Sequence, residues 1–587
     1  FIFGWVSLLA DEYKQLGKHI AAGAGFVSNI VLWSEVGYFD NSSDTKPLLH
    51  LWSLGLEEQF YILWPLLSHL IWKRGFNRLT IIFFAAALSF TLNIKGIKQD
   101  SVATFYSPQT RFWELLSGSL LAYLQLYNKA KLSNTIGNID HLFYSIIIRG
   151  TRGSIVTSSN SASLVGLVLL VYGFWTIEKE YSFPGGWALV PVLGSMLIIA
   201  ADHKSWVNRT ILSNKVFVWF GLISYPLYLW HWPLLSFARI IESETPSRNI
   251  RIATVMLSVA LAWLTYKLIE RPVRFGKNGK VKVTILVLLM ALIGFVGFIT
   301  YTHDGFSQRN AVVKSGYTEQ VRRQFMGPLW DYTNNNTCLN EFRFKDADKL
   351  AWWFCMKSKP SKPTLIILGT SLANQLYPGF SKNPALKHHS VLSIGTCDFA
   401  AANTYDIDSR NPCFGSRSTE QKDFIDNIVA SNESIKFAII DGLSRFPDTA
   451  YIERLKKRIT FYESKGVRVI LFTPPIQPGF HPKACFARPL MKSAKDCTFP
   501  LADRERLYDD FKPVIDALRI SNPNVLTFEQ NQIFCQIDKC SYTKDGMPLH
   551  RDDIHTSEYE SVELQSYFNV WAKTHVPQIF DADYLKH

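Results

Sequence analysis

Cysteine is missing from the first 337 residues of this 587-residue chain, and nowhere do two cysteines stand as a C-x-x-C pair. The first absence excludes disulfides from the amino-terminal half. The second removes the commonest signature of a zinc or redox site. The chain also opens on "FIFGWVSLLA", with no initiating Met and no basic leader ahead of an apolar stretch. No secretory signal is read there, and the first membrane segments of a longer protein are expected to precede it. What the chain does have is length beyond one ordinary core, so two or more domains are expected.

Composition shifts near residue 301. Before it, long apolar runs recur, among them "ILWPLLSHLIW", "LTIIFFAAALSF", "ASLVGLVLLVYGFW" and "VTILVLLMALIGFVGFI". With their neighbours they reach the roughly 17 to 25 residues that carry a helix across a bilayer. After it come all eight cysteines: Cys338, Cys355, Cys397, Cys413, Cys485, Cys497, Cys535 and Cys540. An even number at irregular spacing, with Cys535 close to Cys540, argues for disulfides in an oxidising compartment rather than zinc.

The net charge of +13 does not signal nucleic acid, because the basic residues crowd into short loops between apolar runs. The loops 72–78, 128–153, 203–209 and 270–282 are the most basic, and the positive-inside bias places them in the cytoplasm. Spans then fall near 50–72, 79–95, 109–127, 162–177, 186–201, 216–236, 251–268 and 283–301. They alternate without conflict and deliver the chain after 301 to the outside, the side the cysteines require. The run "GKHIAAGAGFVSNIVLW" is long enough to cross but rich in small and polar residues, and reads as a crossing, a re-entrant segment or an interfacial one.

Ionisable groups inside a bilayer are costly and therefore functional candidates. "PLLHLWSLGLEEQFYILWPLL" brings His50, Glu57 and Glu58 to the entry of one span, "SPQTRFWELLSGSLL" sets Arg111 and Glu114 one helical turn apart, and "SYPLYLWHWPLL" places Tyr225 and His231 near the outer end of another. The plain alternative is aromatic anchoring at the interface plus one structural Arg–Glu pair. These words, together with "ERPVR" and in this order, resemble the acyltransferase 3 family of membrane acyl transferases over nearly all of residues 1–301. The resemblance implies movement of an acyl group, commonly acetyl from cytoplasmic acetyl-CoA, across the membrane to a sugar hydroxyl. That family's signature Arg and His of the first span have no counterpart in these residues, so the fragment alone is expected to be inactive.

From 302 to 336 the chain is polar and reads as a linker with some helix. Over 337–587 short apolar strands, "TLIIL", "SVLSI", "FAII", "VRVILF" and "VLTF", alternate with amphipathic helices such as "STEQKDFIDNIVAS" and "TAYIERLKKRITFYES". The alternation predicts a parallel sheet covered by helices on both faces, with a site at the carboxyl ends of the strands. Gly369-Thr370-Ser371 follows the first strand, Gly395 the second, and "PLHRDDIHTSEYES" holds Asp552 three residues before His555. That spacing lets a carboxylate fix the tautomer of an imidazole whose other nitrogen takes a serine proton. The backbone N–H groups of Ser371 and Gly395 are candidate oxyanion donors. The adjacent pair His388 and His389 has no third ligand near in sequence, and a metal is not expected.

The pattern over about 360–570 resembles the SGNH (GDSL-like) family, a three-layer, flavodoxin-like α/β fold. The resemblance implies Ser371 as nucleophile, His555 as base, Asp552 as its partner and Gly395 as an oxyanion donor. Two positions depart from the family. Thr370 stands where Asp usually precedes the serine, and "IIDGLSRF" lacks the family's block-three Asn, leaving Asp441, Gly442 or Ser444 in that neighbourhood. The fold class expected is thus a multi-pass α-helical membrane domain plus a parallel-sheet α/β domain. The two resemblances together match bacterial O-acetyltransferases of lipopolysaccharide O-antigen and other envelope glycans, set in the inner membrane with the soluble domain in the periplasm. The partners implied are acetyl-CoA as donor, with no bound cofactor, and a polysaccharide or lipid-linked glycan as acceptor. Two rivals use the same residues differently: a glycan O-acetyl esterase, which leaves the polar membrane core without a task, and a transporter with a sugar-binding outer domain.

Overall fold

The computed structural model describes residues 1–36, 43–127, 155–178, 181–201, 203–277, 279–326, 332–333, 335–350, 352–400, 402, 411–488, 490, 494–536 and 539–585. The chain divides into two compact units, one of residues 13–240 and 245–305 and one of residues 1–12, 241–244 and 306–587.

The first unit is helical. A helix occupies each expected span: Leu51–Lys73, Arg78–Gly96, Pro108–Tyr127, Ile155–Thr176, Leu189–Ala200, Lys215–Glu242, Arg248–Thr265 and Gly279–Thr302. Four stretches, Arg78–Gly96, Ser159–Thr176, Arg248–Phe275 and Gly279–Thr302, are long and apolar enough to cross a membrane. Leu189–Ala200, with 12 residues, reaches only about 18 Å against a hydrocarbon core of about 30 Å. Large apolar side chains such as Leu66, Phe84, Phe174 and Leu288 point outward and are more than half exposed, a surface suited to lipid rather than water. The basic stretch 128–153 lies outside the described residues.

The ambiguous run forms two helices, Ala10–Ala24 and Ser28–Glu35. The second has 8 residues, about 12 Å, too short to cross. His19 Nε2 meets Glu35 Oε2 at 2.8 Å, and a contact between the far end of the second helix and the body of the first requires them to run antiparallel. Neither helix of this hairpin alone has the length of a full span.

The second unit holds the α/β sheet, of strands β1 (Cys355–Lys357), β2 (Leu365–Gly369), β3 (Val391–Ile394), β4 (Phe437–Asp441), β5 (Arg468–Phe472) and β7 (Leu526–Phe528), while β6 (Thr498–Pro500) pairs outside it with Lys539–Ser541. The main sheet has the order β1-β3-β2-β4-β5-β7. All pairs are parallel except β1 with β3. β2 and β4 are buried throughout, which is why they read as unbroken apolar runs. Helices Arg417–Ser431, Thr449–Ser464, Leu501–Ser521 and Glu558–His575 connect or cover the strands. From β2 the chain passes to β3 on one side and then to β4 on the other, so the order reverses at the carboxyl end of β2. In open α/β sheets that is where ligands bind.

Four disulfides close loops of this unit: Cys338–Cys355, Cys397–Cys413, Cys485–Cys497 and Cys535–Cys540. The stretch that reads as a linker is partly folded into it. Val312, Tyr317 and Val321 pack with Leu9, Ala10 and Phe486. The Arg488 guanidinium donates to both carboxylate oxygens of Glu12, at 2.6 and 2.8 Å, and Lys483 pairs with Asp11.

Candidate active site

β2 ends on Gly369 at φ +139°, and a Cβ there would stand 1.8 Å from the carbonyl oxygen of Asp441. Only glycine lets the two parallel strands close at this level. The next residue, Thr370, is extended, and its Oγ1 accepts the N–H of Leu372 at 3.4 Å, capping the short helix Ser371–Gln375. Ser371 is therefore the first helical residue, and its N–H has no acceptor within the helix.

His555 comes from a loop closed at its base. Ser557 N–H donates to Leu549 O at 3.0 Å and Arg551 N–H to His555 O at 2.8 Å. Ser557 Oγ accepts the N–H of Glu560 at 3.0 Å and donates to Pro548 O at 2.7 Å, so it caps helix Glu558–His575 and ties the loop down together. This loop carries His555 to Ser371, with Oγ to Nε2 at 2.9 Å. On the other side of the ring, Nδ1 lies 2.9 and 3.0 Å from the two oxygens of Asp552. A carboxylate only accepts, so Nδ1 carries the proton and the serine hydroxyl donates to Nε2.

Asp552 Oδ1 also accepts the N–H groups of Ile554 and His555, at 2.9 and 2.7 Å. Burial opposes its ionisation but is outweighed by the hydrogen bond and charge of His555, with Arg551 adding to them, and its carboxyl is held well below the usual range. Arg551, 5% exposed, reaches Asp552 Oδ2 with Nη2 at 3.4 Å. The sequence offered no signal for this contact beyond adjacency.

Gly395 does not match its expected part. Its N–H donates to Phe354 O at 3.0 Å, so in this geometry it is spent on the strand at the sheet edge. Its carbonyl accepts from Asn374 Nδ2 at 3.0 Å, a residue of helix Ser371–Gln375 that fixes this turn. Of the residues left near the missing Asn, Asp441 turns inward, 2% exposed. Its Oδ1 accepts Gly442 N–H at 2.7 Å and Gln530 Nε2 at 2.9 Å. Burial raises the Asp441 carboxyl to about 7. Ser444 is half-buried, with its N–H on the Tyr451 hydroxyl at 3.0 Å. His388 and His389 both turn Nε2 to the carbonyl of Ile579, at 3.0 and 2.8 Å, and the described residues hold no cluster of three or more metal-ligating side chains.

In the helical unit the candidates separate. His50 faces Tyr228 and His231, with ring centroids 5.0 and 5.9 Å away, and the Tyr228 hydroxyl lies 2.8 Å from Ser53 Oγ. His231 Nδ1–H donates to Tyr228 O at 2.8 Å. Both ring nitrogens of His50 are buried without a hydrogen-bond partner among the described residues. Tyr225 is 51% exposed, and neither it nor Glu57 or Glu58 joins this cluster by a hydrogen bond. Arg111 Nη2 pairs with Glu114 at 3.2 Å, its guanidinium lying 5.5, 5.7 and 5.5 Å from the ring centres of Trp52, Phe105 and Phe183. The pair stands at the wall of a cavity of about 390 Å³ with Phe183, Pro191 and Met196. A charged cluster missed in the sequence surrounds Glu35, which meets Lys18 at 2.8 Å, His19 at 2.8 Å and Lys46 at 3.1 Å. Its members are spread over 29 residues without a helical period, so no spacing announced it.

Known proteins share both parts. Residues 16–267 match the acyltransferase domain family and residues 337–569 the SGNH domain that occurs fused to such domains. The peptidoglycan O-acetyltransferase OatA of Listeria monocytogenes is 29% identical over 275 residues, 45% of this chain and 41% of that protein. A putative O-acetyltransferase of Staphylococcus aureus, SACOL0978, is 30% identical over 289 residues, 47% of this chain and 44% of that protein. The matched part thus spans less than half the length of these relatives. Among solved structures, the periplasmic domain of a Salmonella Paratyphi A lipopolysaccharide acetyltransferase matches 37% of this chain and 85% of its own at 14% identity and a TM-score of 0.25.

Proposed function

For a chain in which a membrane acyltransferase domain is fused to an SGNH domain, we propose O-acetyl transfer to a hydroxyl of a cell-envelope polysaccharide. The membrane domain takes acetyl from cytoplasmic acetyl-CoA and presents it outside. There Ser371 Oγ attacks the acetyl carbonyl while His555 Nε2 takes its proton. The donor leaves with that proton, and an acetyl-serine ester remains. His555 then draws a proton from an acceptor hydroxyl, whose oxygen takes the acetyl group and frees the serine. Asp552 holds the tautomer and stabilises the imidazolium in both steps.

The observation that carries this reading is the unbroken chain Ser371–His555–Asp552, 2.9 Å at each link. The oxyanion of each tetrahedral intermediate is met by Ser371 N–H. His50, His231, Glu57, Glu58, Arg111, Glu114 and Tyr225 are the candidates for handling acetyl within the membrane. An esterase would need the same triad but not this membrane core, and a transporter would need neither link. We place the SGNH domain in the periplasm and the helices in the inner membrane, consistent with four disulfides on the soluble side.

The acceptor we propose is lipopolysaccharide O-antigen, on the resemblance of the two sequence patterns to envelope-glycan O-acetyltransferases. The Listeria relative, named for peptidoglycan, makes peptidoglycan the second reading. The test compares ester-linked acetate in the two envelope fractions of cells with and without the full-length gene. Acetate that falls with the gene removed, in either fraction, supports transfer and names the acceptor. Acetate that rises in the absence of the gene overturns transfer in favour of an esterase.

A further inference from the structure

The connection from β4 to helix Thr449–Ser464, residues 442–448, begins against the nucleophile turn. A Cβ on Gly442 would stand 1.8 Å from Thr370 Oγ1, and Asp441 pairs in register with Gly369, so this rim lies directly beside Ser371. From there the loop is fastened residue by residue. Leu443 is buried at 4% exposure. Ser444 N–H donates to the Tyr451 hydroxyl at 3.0 Å, which donates in turn to the Asp398 carboxylate on the rim of β3, at 2.9 and 3.0 Å. Arg445 Nη2 donates to the carbonyl of Pro475, beyond the carboxyl end of β5, at 2.5 Å. Pro447 has a fixed φ, and Asp448 Oδ1 caps the following helix by accepting Tyr451 N–H at 2.6 Å.

One large apolar side chain of this fastened loop stands out into solvent: Phe446 is 81% exposed. A large aromatic face left in water on a backbone hydrogen-bonded on both sides of it has less conformational freedom to lose on binding a partner. The partner's chemistry follows from the place. The loop that carries this ring leaves the carboxyl end of β4 beside the Thr370–Ser371 turn, and the acceptor in the transfer proposed above is a sugar. A pyranose offers an apolar C–H face that packs flat on an aromatic ring while its hydroxyls point to the rim.

We propose that Phe446 is the stacking platform for a sugar ring of the acceptor glycan, beside the acetyl-serine. The inference rests on the transferase reading of the site. It makes Phe446 a binding residue that sets acceptor affinity, not a participant in the chemistry.

The test uses the full-length protein in detergent, 4-nitrophenyl acetate as acyl donor and glycan fragments released from the host envelope as acceptors, with transfer and hydrolysis read in the same tube. For Phe446→Ala the expected result is at least a tenfold rise in KM for the fragments, with kcat at saturation within twofold, and at least a tenfold fall in the ratio of transfer to hydrolysis. Phe446→Trp restores both. An unchanged KM, a loss confined to kcat, or a loss that Trp does not rescue overturns the platform. Ser371→Ala separates this from failure of the underlying reading. If it leaves ester turnover intact, the serine is not the nucleophile, and the transferase reading fails whatever Phe446 does. A wild-type protein that hydrolyses the ester yet acetylates no fragment rejects the acceptor and its platform together.

Discussion

Asp441→Asn should make the protein more stable at alkaline pH and leave it nearly unchanged at acid pH. Asp441 lies at the carboxyl end of β4, 2% exposed, and burial lifts its carboxyl from 3.8 to about 7. A folded state that holds a proton more tightly than the unfolded chain loses stability as pH climbs from the unfolded value through the folded one. The full displacement is worth about 4 kcal/mol. Asn keeps an oxygen to accept from Gly442 N–H and Gln530 Nε2, and replaces the O–H of the neutral acid with an N–H₂. At pH 4.5 the two proteins should therefore agree within about 1 kcal/mol, and by pH 8 the variant should lead by about 3 kcal/mol. For a domain of this size that is a Tm difference of about 10 °C.

Other buried groups slope the opposite way. Burial lowers His481 to about 3 and His389 and His550 to about 4, so their contribution rises with pH and is complete near 6.5. Subtracting wild type from variant at each pH removes them. Glu560, raised to about 8 by burial and then by the Asp441 charge, relaxes in the variant and widens the gap further. Thermal unfolding of the full chain in detergent at pH 4.5, 6, 7 and 8 measures it. A gap that is constant across these pH values, or that closes as pH rises, would refute a buried, proton-holding Asp441.

Three further outcomes are expected. Asp552→Asn should fold normally and lose about 10⁴-fold in turnover of 4-nitrophenyl acetate, because the amide imposes the wrong tautomer on His555; a loss under tenfold would detach Asp552 from the chemistry. Gly369→Ala places a Cβ 1.8 Å from the Asp441 carbonyl at a φ that L-residues avoid, and should cost more than about 3 kcal/mol, read as loss of folded protein in expression trials. Glu12→Gln leaves the Arg488 side chain, 5% exposed, without its carboxylate and should destabilise the soluble unit by about 3 kcal/mol; a Tm within 1 °C of wild type would show the pair to be expendable.

The central strands of the sheet were legible because parallel strands buried on both faces leave a continuous apolar trace. β1 was not: it has three residues, runs antiparallel at an edge, and carries Lys357, whose ammonium is turned to Glu341. β6 escaped too, because its partner Lys539–Ser541 also pairs with Cys535–Gln536, where the Cys535–Cys540 disulfide rather than apolar periodicity ties the strands. Asp552 and His555 were readable because three residues suffice for a carboxylate to reach a ring across one loop. Gly395 misled because whether a backbone N–H is free depends on what approaches it, and Phe354 approaches from 41 positions upstream. Thr370, unusual before a nucleophile, is explained only by the fold. Its Oγ1 caps the helix and fills the space that Gly442, at φ +71°, leaves open.

In the proposed transfer, the Ser371–His555–Asp552 chain alone does not explain a preference for transfer over hydrolysis. His555 can draw a proton from water as readily as from a sugar, and acetyl exchange between two hydroxyls is close to balanced, so neither basicity nor equilibrium selects the acceptor. Selection has to come from position. A hydroxyl held in attacking geometry has an effective concentration of roughly 10⁵ M or more, against roughly 55 M for bulk water, which favours it by about a thousandfold. Only a rim that fixes the sugar without yielding can supply that. The 442–448 loop is fastened to Tyr451, Asp398 and Pro475 at the point where it passes the nucleophile. On the proposed transfer reading, the fastened backbone of the loop and its exposed Phe446 ring place the choice of acceptor in the second half of the reaction.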